Sequence, residues 1–345
     1  MLTLSAIFFA LYLLLVAASF RLPHPLQGRL AAGVTVVVAF RNEEGRLGPC
    51  LERLLQSLNH AQVPGEVLAI DDHSTDHGAQ EAQQLNDSRL LVLTAQSHGK
   101  KAALAEAVAH ARYPVVAFTD ADTLVDLTWV QRMAHGSHGF TAGWVQWCGK
   151  EGWLTDLQRA EGLAVMQMTA ASFAWGVPLS ANGASLAVPL ALAQRPLPNQ
   201  RASGDDVGRL QLAQAAGLPV QMDVQARVQT PVAESLFDWW EQRKRWASKT
   251  AGGQLTSARV VGLVLLLGNL SWVLALWANP GVGLLLFLLK SLLDALLVWR
   301  AAQLEGSAFP WRGLAILEPF YPLYLLWLGL VAPFLTYRWK GRSAR

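Results

Sequence analysis

Four long apolar runs, at residues 2–20 and about 260–278, 282–299 and 313–336, fix the setting in which the rest of this chain must fold. Crossing a bilayer takes ~20 apolar residues, because a helix rises only ~1.5 Å per residue through a hydrocarbon core ~30 Å thick. Each run meets that length. Residues 30–255 carry the ordinary mixture of charged and apolar side chains. The low charged fraction of the whole chain, 15% against ~25% in typical domains, is therefore a local deficit of its ends. The expected organisation is a transmembrane anchor over 1–21, a soluble domain over 30–255, and a membrane region of two or three spans over 260–337.

Orientation follows from the basic residues. None precedes the first run, while Arg21 and Arg29 follow it. That order is the reverse of a secretory signal and predicts an uncleaved anchor with its N-terminus outside and the domain in the cytosol. Arg243, Lys244, Arg245, Lys249 and Arg259, ahead of the second run, point the same way. The uncharged Asn279-Pro280-Gly281 turn belongs outside, and Arg300 and Arg312 inside. Four complete crossings would leave the basic tail, Arg338 to Arg345, on the outer side. The last run also holds Glu318, Pro319, Pro322 and Pro333, which favours a re-entrant or interfacial piece. Lys290 and Asp294, one helical turn apart, either pair internally or line a path for a lipid headgroup. The net charge of +3 suits an anionic lipid surface, and no basic stripe with interleaved aromatics marks a nucleic-acid track. Cys50 and Cys148 stand isolated, so no disulfide is expected in a reducing compartment.

The soluble part alternates short aliphatic runs with amphipathic stretches. Strands are expected at Val34–Phe40, Val67–Ile70, Leu90–Thr94 and Val115–Thr119, and helices at Leu47–Leu58, Gly78–Leu85 and Lys100–Ala111. Such alternation predicts an α/β domain with a parallel sheet and right-handed crossovers, binding its ligand beyond the carboxyl ends of the strands. The polar residues gather there: Arg41-Asn42-Glu43-Glu44, then Asp71-Asp72, then Asp120 and Asp122. Beyond Thr123 the pattern loosens, with strands at Trp144–Cys148 and Val220–Val228, a helix at Leu154–Ala174 and a small-residue loop at Ser180–Ala184. Asp120 and Asp122 end the fourth run, where strand alternation is expected to point positions i and i+2 the same way, so both acids should face one point. Paired carboxylates there call for a hard cation, Mg²⁺ or Mn²⁺, of the kind that bridges to phosphates. A surface turn also produces Asp-x-Asp.

Six segments, VVVAFRNEE at 36–44, AIDDHSTD at 69–76, GKKAAL at 99–104, FTDADT at 118–123, GDDVGRL at 204–210 and QRKRW at 242–246, together resemble the inverting glycosyltransferases of family 2. The resemblance covers roughly residues 34–250 and extends to the ceramide glucosyltransferase-like and polysaccharide synthase-like branches. It implies a GT-A fold, Rossmann-like with a mostly parallel sheet, flanked here by transmembrane helices. It also implies that Phe40, Arg41, Asn42, Glu43, Asp71, Asp72 and Asp120 grip a nucleotide-sugar, and that Asp122, assisted by Asp120, holds Mg²⁺ or Mn²⁺. Lys100 opens a helix and would act with its N-terminus on phosphate, unless it is a solvated surface lysine. Asp206 matches the general base and Asp205 the support of the acceptor loop; acids at a helix N-terminus are the alternative. Gln242 and Arg245 would steady the donor diphosphate, with Trp246 as an apolar wall under the acceptor. The competing account of that helix is a basic, Trp-rich segment in the membrane interface, which Trp239, Trp240 and Lys249 are expected to occupy. Asn182-Gly183 marks an acceptor-side loop or an ordinary turn. His73 and His77 lie in a loop and are not expected to form a zinc pair. The expected activity is metal-dependent hexosyl transfer from a UDP-sugar to a lipid hydroxyl at the cytosolic face of a bacterial cell membrane. A processive polysaccharide synthase and a non-catalytic nucleotide-sugar-binding membrane protein remain as alternatives.

Overall fold

Leu2–Ala18 form α1, apolar on every face, as befits a helix with no aqueous side. The computed structural model that shows this describes residues 1–24, 26, 30–135, 138–198, 204–251, 256–331, 334–339 and 342–344. The chain next enters β1 (Val34–Phe40), whose aliphatic run is buried almost throughout because the sheet is covered on both faces. Strict alternation follows through α2 (Leu47–His60), β2 (Gly65–Asp71), α3 (Gly78–Gln84), β3 (Leu90–Thr94), α4 (Lys100–Ala109) and β4 (Val115–Asp120). The four strands are mutually parallel in the order β3-β2-β1-β4. Register decides what this means for function. Phe40 pairs with Asp71 and Ala39 with Asp120, so the polar residues that end three strands lie side by side on one rim.

The second half departs from a purely parallel sheet. It contains β5 (Leu124–Val125), α5 (Trp129–His135), β6 (Phe140–Cys148), α6 (Trp153–Ala174), β7 (Leu186–Pro189), α7 (Leu190–Ala193), α8 (Asp205–Ala215) and β8 (Val220–Pro231). The sheet reads β3-β2-β1-β4-β7-β6-β8-β5, with β7 antiparallel to both neighbours and β6 parallel to β8. The result is a mixed, mostly parallel sheet. The short β7 had no signature of its own in the sequence, being four residues in a run of small and apolar side chains.

After β8 come α9 (Leu236–Ala251), α10 (Thr256–Ala278), α11 (Pro280–Glu305), α12 (Trp311–Leu330) and a hairpin of β9 (Tyr337–Trp339) and β10 (Arg342–Ala344). Three of these, Ser257–Ala278, Pro280–Glu305 and Trp311–Leu330, are long and apolar enough to cross a membrane. α1, at 17 residues, is shorter. It lies along α10 with Tyr12 packed over Gly268, and its Tyr12 hydroxyl bonds to Asp294. The last apolar run forms a single helix. α12 runs unbroken through Pro319 and Pro322, although each proline removes a backbone donor. Glu318, which argued for a re-entrant piece, instead accepts from Lys290 at 2.8 Å and Ser291 at 3.0 Å. Lys290 also meets Asp294 at 2.7 Å, so the predicted pair is internal to the bundle. Arg29, Pro333 and the side chain of Lys249 lie outside the described residues.

The sheet domain and the bundle share a direct interface. α6 packs against α11 and α12, and Gly313 sits so close to the Asp156–Leu157 backbone that any Cβ would collide with it. Trp144 donates its indole N–H to Glu305 Oε2 at 2.9 Å, and Arg227 donates to the carbonyl oxygens of Leu304 and Glu305. These contacts fix the strand ends relative to the apolar helices.

Candidate active site

The carboxyl ends of β1, β2 and β4 open into a cleft that communicates with solvent. Ala39, Phe40, Arg41 and Glu43 enter it from β1 and its following loop, and Asp72 from the loop after β2. Lys100 at the start of α4, the Asp120-Ala121-Asp122 turn, and Arg245 of α9 complete the lining. Eight of the residues singled out by sequence therefore converge. Ala39 and Ala121 were missed; their signal was small size at a strand end, where a ligand must approach the backbone.

Two other predicted residues hold the loops in shape. Asn42, in the left-handed region at φ 52°, accepts from the Thr75 N–H at 2.8 Å and donates its own N–H to Ser74 Oγ at 3.1 Å. Asp71 accepts from the Ser74 N–H at 2.8 Å, closing the turn after β2. Neither lines the cleft. Arg41 donates to the Asp72 carbonyl at 2.9 Å, and the Asp72 N–H donates to Phe40 O at 2.8 Å. The Asp72 carboxylate is buried and accepts from the Gly99 N–H at 2.8 Å. Gly99 has φ +105°, a conformation that side chains resist, and this lets one residue face Asp72 while the next opens α4.

Asp120 and Asp122 share the cleft for a different reason from the one expected. β4 ends at Asp120, and the chain turns at once, with Thr123 donating from Oγ1 to the Asp120 carbonyl at 2.7 Å. Asp122 is brought round by this turn rather than by strand alternation. Lys100 Nζ pairs with Asp120 Oδ1. Burial works against the Lys100 charge, but the carboxylates of Asp120 and Asp205 outweigh it and hold the ammonium above its ordinary range. Asp205 and Asp206 occupy the first turn of α8, as the helix-terminus account foresaw, and neither is among the residues that line the cleft. A Cβ at Gly183 would lie 3.6 Å from Asp205 Oδ2, 3.9 Å from Lys100 Nζ and 4.0 Å from Asp206 Cβ. The Asn182-Gly183 loop thus abuts both acids, its shape held by Asn182 Oδ1 accepting from Ala184 N–H at 3.0 Å. Two carboxylates in the cleft are an all-oxygen donor set that fits Mg²⁺ or Mn²⁺. Among the described residues, three potential ligands converge at another point, Asp72, His73 and His98, with ligand atoms within 4.8 Å of one another. His77 turns instead to Glu44, with its Nδ1 3.2 Å from Oε2.

On α9, Arg245 reaches the cleft, whereas Gln242 and Trp246, one turn apart on the same helix, are not among the residues that line it. Trp246 meets Trp147 edge to face at 6.4 Å. Arg243 was missed by sequence reasoning. Its guanidinium bonds to Glu161 of α6 and to Gln242 Oε1 and lies 4.2 Å from the centroid of the Trp246 ring. Tyr324 of α12 donates to Glu161 Oε1 at 2.7 Å. Burial disfavours the Arg243 charge, but Glu161 holds it firmly protonated. Trp239 and Trp240 meet the apolar bundle. They stack on Tyr324 and Trp327 of α12, with centroids 5.5 and 3.7 Å apart, and so join the bundle to the motif helix.

Residues 35–158 match the family model described as glycosyl transferase family 2. A 4,4'-diaponeurosporenoate glycosyltransferase of Staphylococcus aureus is 35% identical over 92 residues, which are 26% of this chain and 24% of that protein. The chain thus spans about a quarter of the length of the curated relatives it matches. Among solved structures, a mannosyltransferase from Pyrobaculum calidifontis in complex with GDP-Man and Mn²⁺ superposes with a TM-score of 0.54 at 18% identity. The superposition covers 96% of this chain and 97% of that one, and the likeness is one of fold.

Proposed function

We infer that this chain, which carries a glycosyl transferase family 2 domain on a GT-A sheet, moves a sugar from a nucleotide-sugar, by preference UDP-linked, to the hydroxyl of a membrane lipid. One observation carries the reading. Asp72, Lys100, Asp120, Asp122 and Arg245, drawn from four separate stretches of sequence, line one cleft beside Asp205 and Asp206.

Asp72, Phe40 and Arg41 bind the base and ribose, with Asn42 and Asp71 shaping the loops that present them. Lys100 and Arg245 bind the diphosphate. Asp122 and Asp120 are the residues that would hold a divalent cation, which when bound would neutralise charge on the leaving nucleoside diphosphate. Asp206, 1% exposed, takes the proton of the acceptor hydroxyl, a contribution of ~10²–10⁴-fold to the rate. Attack then comes from the face opposite the leaving group and inverts the anomeric centre. Asp205 supports the acceptor loop, Glu43 joins the grip on the nucleotide-sugar, Gln242 steadies the diphosphate with Arg245, and Trp246 forms an apolar wall under the acceptor.

The lipid acceptor is supported by position. The motif helix α9 ends at Ala251, α10 begins at Thr256, and the aromatic contacts of Trp239 and Trp240 tie the site to α12. The Staphylococcus aureus relative is likewise named for glycosyl transfer involving 4,4'-diaponeurosporenoate. The basic residues flanking α10 favour a cytosolic site. The test is to incubate the full-length protein in detergent micelles with a panel of UDP-sugars and a total lipid extract, and to analyse new glycolipids by mass spectrometry. One or two sugars on a lipid are expected. A ladder of sugars would favour a polymerising synthase, and no transfer from any donor would overturn the reading.

A further inference from the structure

His73 and His98 take no part in the reading above, yet their ring nitrogens gather at Asp72, which lines the cleft. They come from the loops after β2 and β3, and their rings meet at 3.9 Å between centroids, tilted by 37°. His73 Nδ1 is buried and makes no hydrogen bond among the described residues. A buried ring nitrogen without a partner is costly and calls for an explanation. His73 is also held at φ 59°, a left-handed conformation unusual for a residue with a Cβ, which the surrounding loop has to enforce.

We propose that Asp72, His73 and His98 form a binding site for Zn²⁺, and that zinc there competes with the nucleotide. The distance from Asp72 Oδ1 to His73 Nδ1 is 3.5 Å. Two ligands on one tetrahedral zinc, each ~2.0–2.2 Å from the metal, stand about 3.4 Å apart, so this pair is already at ligand spacing. His98 is exposed, and its ligand atom lies within 4.8 Å of the other two, so a small rotation of its ring completes the triad. The Gly99 N–H, bonded to Asp72 Oδ1, orients the carboxylate as outer partners of metal ligands do.

Ligand chemistry separates this site from the Asp120–Asp122 pair. Two imidazoles and one carboxylate favour zinc, whereas an all-carboxylate set favours Mg²⁺ or Mn²⁺. Three protein ligands leave the fourth zinc position to water. Zinc binding stands on this geometry alone; the competition rests on the proposed role of Asp72 in holding the nucleotide.

The full-length protein, stripped with EDTA and kept in detergent, is titrated with ZnCl₂ in a calorimeter in the presence of excess MgCl₂. One equivalent is expected to bind. His98→Ala, at an exposed position, should weaken zinc binding by more than ~100-fold, beyond the ~10–100-fold that loss of an outer-sphere partner costs. UDP and GDP are then titrated separately, with and without zinc. Whichever nucleotide binds should bind the wild type more weakly with zinc present and His98→Ala equally well in both conditions. Failure of the wild type to take up zinc, or undiminished uptake by both His73→Ala and His98→Ala, overturns the site. Nucleotide affinity indifferent to bound zinc overturns the competition. Zinc uptake with neither nucleotide bound would sink the functional reading and leave the metal site standing.

Discussion

Replacing Glu161 by Gln removes the only carboxylate bonded to Arg243 among the described residues and leaves its charge in place. Both side chains are nearly inaccessible, at 2% for Arg243 and 6% for Glu161, so water cannot substitute for the lost partner. Breaking a buried pair on one side costs about 3–5 kcal/mol, because the remaining ion stays desolvated and uncompensated. The ring faces of Trp246 and Trp239, 4.2 and 5.3 Å from the guanidinium carbon, return only ~0.5–2 kcal/mol. At roughly 2–4 °C per kcal/mol, Glu161→Gln should lower the apparent Tm by about 5–15 °C. Arg243→Met in the same background removes the stranded charge but keeps apolar volume against both tryptophans. The double variant should therefore recover most of the loss, with a coupling of about 2 kcal/mol or more between the two positions. The assay compares wild type, both single variants and the double variant in one detergent, by tryptophan fluorescence at a fixed heating rate. Additive losses, or a Glu161→Gln protein that melts with the wild type, would refute the claim that this pair joins α6 to the motif helix.

Asp206→Asn should reduce turnover by ~10²–10⁴-fold while nucleotide affinity, measured by calorimetry, stays at the wild-type level; equal turnover would remove Asp206 as the base. Treatment with EDTA should abolish transfer, Mn²⁺ or Mg²⁺ should restore it in the wild type, and Asp122→Ala should not respond; restoration in Asp122→Ala would place the cation elsewhere. Gly162→Ala should destabilise by about 1–3 kcal/mol, since its Cβ would collide with Trp147, the ring that contacts Trp246. Denaturant unfolding indistinguishable from the wild type would show that Trp147 has room to move.

Much of this protein was already present in its sequence. Short continuous aliphatic runs and amphipathic stretches of period 3.6 are local properties, so β1 to β4 and their helices follow from neighbours along the chain. A parallel sheet built from them must carry the residues after its strands on one rim, and Phe40, Asp72 and Asp120 are found there for that reason. The apolar helices were equally legible, because a hydrocarbon solvent leaves no choice of composition.

What only tertiary structure decided is which side chains meet across elements. Sequence spacing offered His77 to His73, but the packing of two loops supplied His98. Asp122 reaches the cleft through a turn, and α8 brings Asp205 and Asp206 up to the Gly183 loop near Lys100. Arg243 looked like one more membrane-flanking cation until α6 and α12 closed around it. The physical reason is common to all of these. A helix or strand is specified by residues a few positions apart, whereas a buried charge takes its partner from whatever the fold brings within 3 Å.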